Sequence, residues 1–397
     1  MALLRRSSPA VWLCALLLAA CASPAATVPT VVPTAAAPAA THASPVATAR
    51  SAATQAAAPN EAALESTATA PAAPPPATVT GDVVLRLGAG TAPNQVGISG
   101  DAGALSGPRA FRIGADGSIR LLDPARKRIL FFEPDGTLRR TLPIDEVISA
   151  LDFIVSNTGD LYVLATVASG EPKVLHYAPS GKLAEQIPVG QGIGINANGI
   201  MLTAEDSLML VQNNQLSWTI RHHDTLTPPA VQALTQQHAV PTPRSPALFA
   251  SGVAMNGTQP LTVIGLTGSV FGDMLTDVTT IQAQVPDDMR FFNVDRAMNL
   301  YFASDPAADQ IDVARVDADG AALGSARIDQ RGCDSSLRSW RSFYIDQDGS
   351  AWNMCVTPTE LTITRYMLRD AQGQPLPPAA QQPADVAWKP GANFSAA

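Results

Sequence analysis

The stretch FRIGADGSIRLLDPARKRILFFEPDGTLRRTLPI, Phe111–Ile144, reads as apolar strand, glycine turn, apolar strand, polar loop, apolar strand, glycine turn and a last strand ending Leu-Pro-Ile. Its Asp135-Gly136 pair is the type that tolerates positive φ where antiparallel strands reverse. The same grammar returns at Asp152–Val189, Phe291–Ile328 and Ser342–Leu368, more weakly at Ile200–Leu226 and most weakly at Leu248–Val285. Marking the first turn of each copy at Gly117, Gly159, Asp206, Gly257, Asn299 and Gly349 divides 232 residues into five intervals of about 46. Four-stranded blades that repeat around an axis have periods of roughly 40 to 50 residues.

Runs such as RILFFEP, DLYVLATV, KVLHYA and NLYFAS are apolar at consecutive positions. A strand with one wetted face alternates instead, so these strands are expected to be covered on both faces. The pattern predicts an all-β fold: a six-bladed β-propeller of four-stranded antiparallel blades over residues 81–397. One helix-forming window, Pro229–Val240, sits in an insertion at 227–247 and is expected to decorate the ring. The sixth copy lacks a fourth strand after LTITRYML, where a proline-rich GQPLPPAAQQPA follows. DVVLRLG, Asp82–Gly88, has the length and apolar content to supply it, and an open ring would expose two sheet edges.

These residues resemble the NHL-type six-bladed β-propeller repeat. Gly107-Pro108, Asp123, Arg128-Ile129 and Asp135-Gly136 match it in the first copy. In the fifth copy Asp305-Pro306-Ala307 and Ile311 keep the spacing, but Gln310 stands where the arginine would be. The resemblance covers residues 105–370 in outline and implies fold rather than activity. Asp123 and Asp305 read as Asx-turn formers before they read as ligands.

Ahead of this body, Arg5 and Arg6 precede an eleven-residue apolar run, Ala10–Ala20, too short for the roughly 20 residues of a membrane-spanning helix. Leu18-Ala19-Ala20-Cys21 looks like a bacterial lipobox, which implies a signal peptide over 1–20, cleavage between Ala20 and Cys21, and lipidation of Cys21. The alternative is an ordinary signal ending A-x-A beside a chance cysteine. Residues 22–80 are Ala, Pro, Thr, Ser and Val with no aromatic and only Arg50, Glu61 and Glu65 charged, so the segment 21–80 is expected to be a disordered tether. The expected setting is extracytoplasmic, on the cell surface or the periplasmic face of a bacterial membrane.

The chain carries 26 basic and 34 acidic residues, a net charge of −8, and loss of residues 1–20 would make it −10. That argues against nucleic acid as a partner and against a second, polybasic membrane contact. No HExxH, no Gly-x-Ser-x-Gly and no paired metal-ligand spacing occurs, so no catalytic residue and no cofactor are assigned. The preferred reading is a monomeric binding or scaffold module for a protein or glycan of the cell envelope. An alternative is a calcium-dependent lactonase-like hydrolase using the channel mouth, with Asp152, Asn196 and Asn293 as candidate ligands; a third is a purely structural lipoprotein. Binding is expected on loops of one rim, including Asp123–Arg128, Ala168–Pro172, Gln212–Gln215, Asp305–Gln310 and Thr357–Glu360. Arg126, Lys127 and Arg128 form the basic run there, either an acidic-partner site or a solvated loop. With Cys14 and Cys21 assigned to the signal and the lipid, Cys333 and Cys355 remain. They form a disulfide in the preferred reading; in the other, Cys355 is a buried thiol and Cys333 a free one.

Overall fold

The computed structural model describes residues 76–380 except 190–196, 203–207, 213–215, 223–224, 227–237, 242–247, 253–260, 268–276, 284, 287, 298 and 318–319; between 212 and 283 only strand backbone and the Ile220 side chain are described. After β1 (Asp82–Gly88), sheet 1 consists of β2 (Ala110–Ile113), β3 (Ile119–Asp123), β4 (Arg128–Phe132) and β5 (Leu138–Pro143). Sheet 2 is β6 (Val147–Val155), β7 (Leu161–Val167), β8 (Pro172–Tyr177) and β9 (Leu183–Pro188). Sheet 3 is β10 (Gly199–Leu202), β11 (Leu208–Gln212), β12 (Leu216–His222) and β13 (Thr225–Leu226). Sheet 4 is β14 (His238–Pro241), β15 (Leu248–Gly252), β16 (Leu261–Thr267) and β17 (Asp277–Ala283). Sheet 5 is β18 (Arg290–Val294), β19 (Leu300–Ala303), β20 (Gln310–Val316) and β21 (Ala322–Asp329). Sheet 6 is β22 (Phe343–Ile345), β23 (Ala351–Val356) and β24 (Glu360–Tyr366), with β1 as its fourth strand.

Sheets 1 to 5 are antiparallel meanders, sheet 6 adds β1 antiparallel beside β24, and no strand ladder joins one sheet to the next among the described residues. Neighbouring sheets meet through side chains. Phe111 and Leu121 of sheet 1 share a core with Trp352 and Ile363 of sheet 6. Leu122 and Ile129 pack with Phe153 and Val163 of sheet 2, Leu164 and Val174 with Ile200 and Leu210 of sheet 3, and Val313 of sheet 5 with Phe343 of sheet 6. Inner strands are therefore covered on both faces: β19 is buried at all four residues. β5 and β9, last in their sheets, keep exposed positions along their length. Successive four-stranded meanders stacked face to face, with first strands turned toward a shared cavity, form a β-propeller architecture.

The first turns of sheets 1, 2 and 6 place Gly117, Gly159 and Gly349 at φ of 79°, 90° and 86°, where a Cβ would strain the chain. β1 pairs antiparallel with β24 from Asp82↔Arg365 to Gly88↔Glu360, as the missing fourth strand of the last copy required. Leu85 and Leu87 are buried from it into the core between sheets 6 and 1.

The fourth repeat differs from its reading. His238–Pro241, placed in a helical insertion, is the strand β14. Gly257 therefore falls between the second and third strands of sheet 4, one turn later than the mark it was given. Alanine and glutamine raise helix propensity locally, but pairing with β15 from His238↔Ser251 to Pro241↔Leu248 overrides it. The remainder of that insertion, the segment 1–75 with Ala20 and Cys21, and the C-terminal 381–397 lie outside the described residues.

Candidate functional site

β2, β6, β10, β18 and β22, first strands of five sheets, line one cavity of about 170 Å³. Its polar groups come from Arg112, Asp152, Asn293, Arg341 and Gln347, and its apolar wall includes Phe292, Trp340 and Phe343. The Phe292 ring stacks on Trp340 with centroids 5.4 Å apart and lies 5.0 Å from Phe343. Register shifts in β6, between Val147 and Ser149 and between Ala150 and Asp152, mark bulges, the device by which a strand re-aims a side chain.

Asp152 is the hub. Its Oδ1 accepts from Arg112 Nη2 at 2.6 Å, and its Oδ2 accepts from the Ile200 backbone N–H at 3.0 Å and lies 3.4 Å from Arg341 Nε. Arg341 Nη2 donates to Asn198 Oδ1 at 2.6 Å, and Arg112 Nη1 donates to the Phe111 carbonyl at 2.8 Å. A Cβ on Gly199 would stand 3.0 Å from Arg341 Nη2, so glycine there lets β10 approach the cluster. Burial holds the Arg341 guanidinium below its usual pKa, Asp152 opposes that, and the neighbouring Arg112 and Arg109 add to it. Two buried guanidinium groups thus share one carboxylate, leaving an excess positive charge in a low-dielectric cavity. Gln347 Oε1 is buried without a hydrogen-bond partner, and Arg341 Nε has the ion pair to Asp152 in place of a hydrogen bond.

Asp152 and Asn293, considered as calcium ligands, do reach the cavity, but Asp152 is taken up by arginine and Asn293 Nδ2 donates to the Ile345 carbonyl at 2.8 Å. Asn196 lies outside the described residues. The donor set is that of a cation-rich site, and hard cations are held by several free oxygens.

The loops of the rim reading lie apart from this cavity. The cavity is lined by first strands and their flanks with Val211 of β11, and none of its lining comes from the loops at Asp123–Arg128, Ala168–Pro172, Asp305–Gln310 or Thr357–Glu360. Those loops join second to third strands, and each strand adds about 4.8 Å of distance from the first. Asp123 is not an Asx-turn former: it is fully buried and accepts from Arg128 Nε at 3.0 Å and from the Gly97 N–H at 3.3 Å. Burial raises its pKa, and Arg128 works against that rise. Arg128 also donates to the Gln95 and Pro93 carbonyls and Arg126 to Ala92, so this corner fastens the segment Ala92–Gly97. Lys127, with φ of 48°, stays exposed. Asp305 is an exposed Asx turn, accepting from the Ala307 N–H at 2.9 Å. Cys333 and Cys355 are joined by a disulfide with Cα atoms 5.0 Å apart, tying the loop before β22 to β23.

Arg112 and Arg341 escaped the sequence reading. The available signal was Arg112 itself, a charge in the apolar run AFRI, which becomes β2. A charge in a strand covered on both faces requires a buried partner.

No protein-family model and no curated protein matches the chain. Among solved structures it is similar to virginiamycin B lyase from Staphylococcus aureus, with 13% identity, 65% of this chain and 94% of that one covered, and a TM-score of 0.41. It is also similar to a functionally unknown protein from Desulfotomaculum acetoxidans DSM 771, with 12% identity, 71% and 90% covered, TM-score 0.45, and to the Neurospora crassa Pan2 WD40 domain, with 9% identity, 73% and 89% covered, TM-score 0.39. Activity does not transfer across such identities.

Proposed function

We propose that the chain is an extracytoplasmic binding or scaffold module, a closed six-bladed propeller of NHL type held to a bacterial membrane through a lipid on Cys21 and a tether over 21–80. The ligand is a protein or glycan of the cell envelope, and it engages the central cavity. What supports binding there is the pair of buried guanidinium groups, Arg112 and Arg341, that share the single carboxylate of Asp152. Charge placed so, next to a stacked aromatic wall, is costly for the fold and useful for recognition. The anchor rests on Leu18-Ala19-Ala20-Cys21 and on the composition of the segment that follows.

The test compares the full-length chain with Arg341→Gln in affinity capture from solubilised envelopes. An envelope component held by the wild type and released by the variant supports the reading; identical captured sets with both, or none with either, overturn it. Incorporation of labelled fatty acid into the wild type but not Cys21→Ser tests the anchor separately. The lactonase-like alternative requires Asp152 to exchange two arginines for calcium, and a calcium-dependent rise in melting temperature that Asp152→Asn abolishes would favour it.

A further inference from the structure

A second cavity, of about 230 Å³, lies between sheets 1 and 2 beside the β6–β7 turn, and Asp116, Arg120, Phe131, Arg139, Arg140 and Pro179 are among its walls. Arg120 of β3 stands directly opposite Arg112 of β2 in the ladder. Like charges in that relation destabilise a sheet unless each is answered. Arg112 is answered by Asp152 at 2.6 Å. Arg120 donates no hydrogen bond among the described residues; it is partly buried, drawn toward Asp116 and repelled by Arg139 and Arg140. Asp116 answers it through charge alone, with no hydrogen bond between the two among the described residues, and its Oδ1 accepts from Ser118 Oγ at 2.5 Å and from the Ser118 N–H at 3.1 Å.

The other two guanidinium groups are set in place by different means. Arg140 lies with Cζ 4.3 Å from the centre of the Phe131 ring and donates from Nη1 to the Pro179 carbonyl at 3.1 Å. Arg139 meets Glu133 at 3.5 Å with both side chains well exposed, a pairing that water and salt weaken. Room for the Arg120 tip depends on Gly114, where a Cβ would stand 2.7 Å from Arg120 Nη1 and 2.5 Å from Asp116 Oδ1. Three arginines therefore converge on one concavity in a chain whose net charge is −8.

We propose that this inter-sheet cavity is an oxyanion-binding site, separate from the central cavity, that takes a phosphate or sulfate group. Three planar donor forks approaching from two strands suit the several oxygens of a tetrahedral anion better than the two of a carboxylate. The anion supplies the charge that Arg120 lacks within the protein. It arrives either free or as a substituent of a larger molecule, and the chemistry of recognition is the same.

Titration calorimetry on the full-length chain at low ionic strength tests this with inorganic phosphate, sulfate, glucose 6-phosphate and, as charge control, acetate. Phosphate and sulfate are expected to bind at least about tenfold more tightly than acetate, and Arg120→Gln to weaken phosphate by about tenfold or more, the scale of a lost charge-assisted contact. Arg140→Gln should weaken it several-fold, while the surface variant Arg86→Gln leaves it unchanged. Since Arg120 has no hydrogen bond to lose among the described residues, Arg120→Gln is expected to melt no lower than the wild type, which keeps it readable. Glucose 6-phosphate binding more tightly than phosphate assigns the group to a larger molecule, and equal or weaker binding assigns the free ion; either upholds the site. Phosphate binding no tighter than acetate, or unchanged in both Arg120→Gln and Arg140→Gln, overturns it. The outcome with Arg341→Gln concerns the central cavity alone, so the two proposals fail independently.

Discussion

Asp152→Asn removes the one carboxylate that two buried arginines share while keeping its shape. The side chains of Asp152, Arg112 and Arg341 are 2%, 16% and 13% exposed, so water cannot replace what is lost. Breaking a buried ion pair from one side costs about 3–5 kcal/mol, because a desolvated charge is left behind. Asparagine keeps one carbonyl oxygen, enough for Arg112 or for the Ile200 N–H but not for the whole set, which places the cost near the lower end, about 3 kcal/mol. At roughly 2–4 °C per kcal/mol for a domain of this order of size, the melting temperature should fall by about 6–12 °C. The assay is thermal unfolding of the full-length chain followed by circular dichroism at neutral pH. Adding Arg112→Gln to Asp152→Asn should cost less than the sum of the two single changes, with a coupling above about 1 kcal/mol, since the second change removes a charge the first has stranded. A drop of under roughly 2 °C for Asp152→Asn, or strict additivity, would refute the reasoning that this carboxylate answers both buried arginines.

Leu85→Ala in β1 should destabilise by about 2–5 kcal/mol, because its side chain is buried between the last sheet and the first; denaturant unfolding checks it, and a change under about 0.5 kcal/mol would mean that β1 does not close sheet 6. Replacing Cys333 and Cys355 together by serine should lower stability by about 3 kcal/mol, the chain-entropy value for a 22-residue separation, and alkylation of both thiols in the denatured, unreduced wild type would show the bond to be absent. Burial first and Asp348 second, against Arg365 and Arg296, push Asp346 up to about 6. The folded chain then holds that proton more tightly than the unfolded one, so this group's contribution to stability falls as pH rises from about 4 to about 6 and stays lost above. Asp346→Asn should therefore melt higher than the wild type at about pH 7.5 and together with it near pH 4; a gap independent of pH would contradict the assignment.

Most of the strand order could be read from the turns, because glycine at positive φ is a local requirement that survives burial and context: Gly117, Gly159, Gly349, Gly136 and Gly181 all sit in hairpins between strands. β1 was legible for a different reason, an unpaired edge that the last copy left open. The fourth copy was misphased because its first strand, HAVP, is short and follows a run rich in alanine and glutamine, where local propensity points toward helix and the partner β15 lies several residues downstream. Asp123 was misjudged on similar grounds. Its neighbours Pro124 and Ala125 look like a turn, while the group that claims its carboxylate, Arg128, is across a hairpin, and the N–H of Gly97 comes from 26 residues earlier.

The candidate sites were less legible, because they are made by opposition between strands whose charges look unremarkable one at a time. Arg112 and Arg120 flank the first glycine turn and pair across it, which the hairpin register alone would show. Their fates diverge through contacts far away in sequence: Asp152 reaches Arg112 from the next sheet and Arg341 reaches the same carboxylate from the last, whereas among the described residues Arg120 meets only the attraction of nearby Asp116 and no ion pair of that closeness. A pair of identical side chains on one hairpin thus becomes one neutralised structural cation and one available cation. The physical rule that separates them is the cost of an unanswered charge between packed sheets. A fold that keeps Arg120 in spite of that cost, with Gly114 holding space open for its tip, is arranged for a partner that brings the missing negative charge with it.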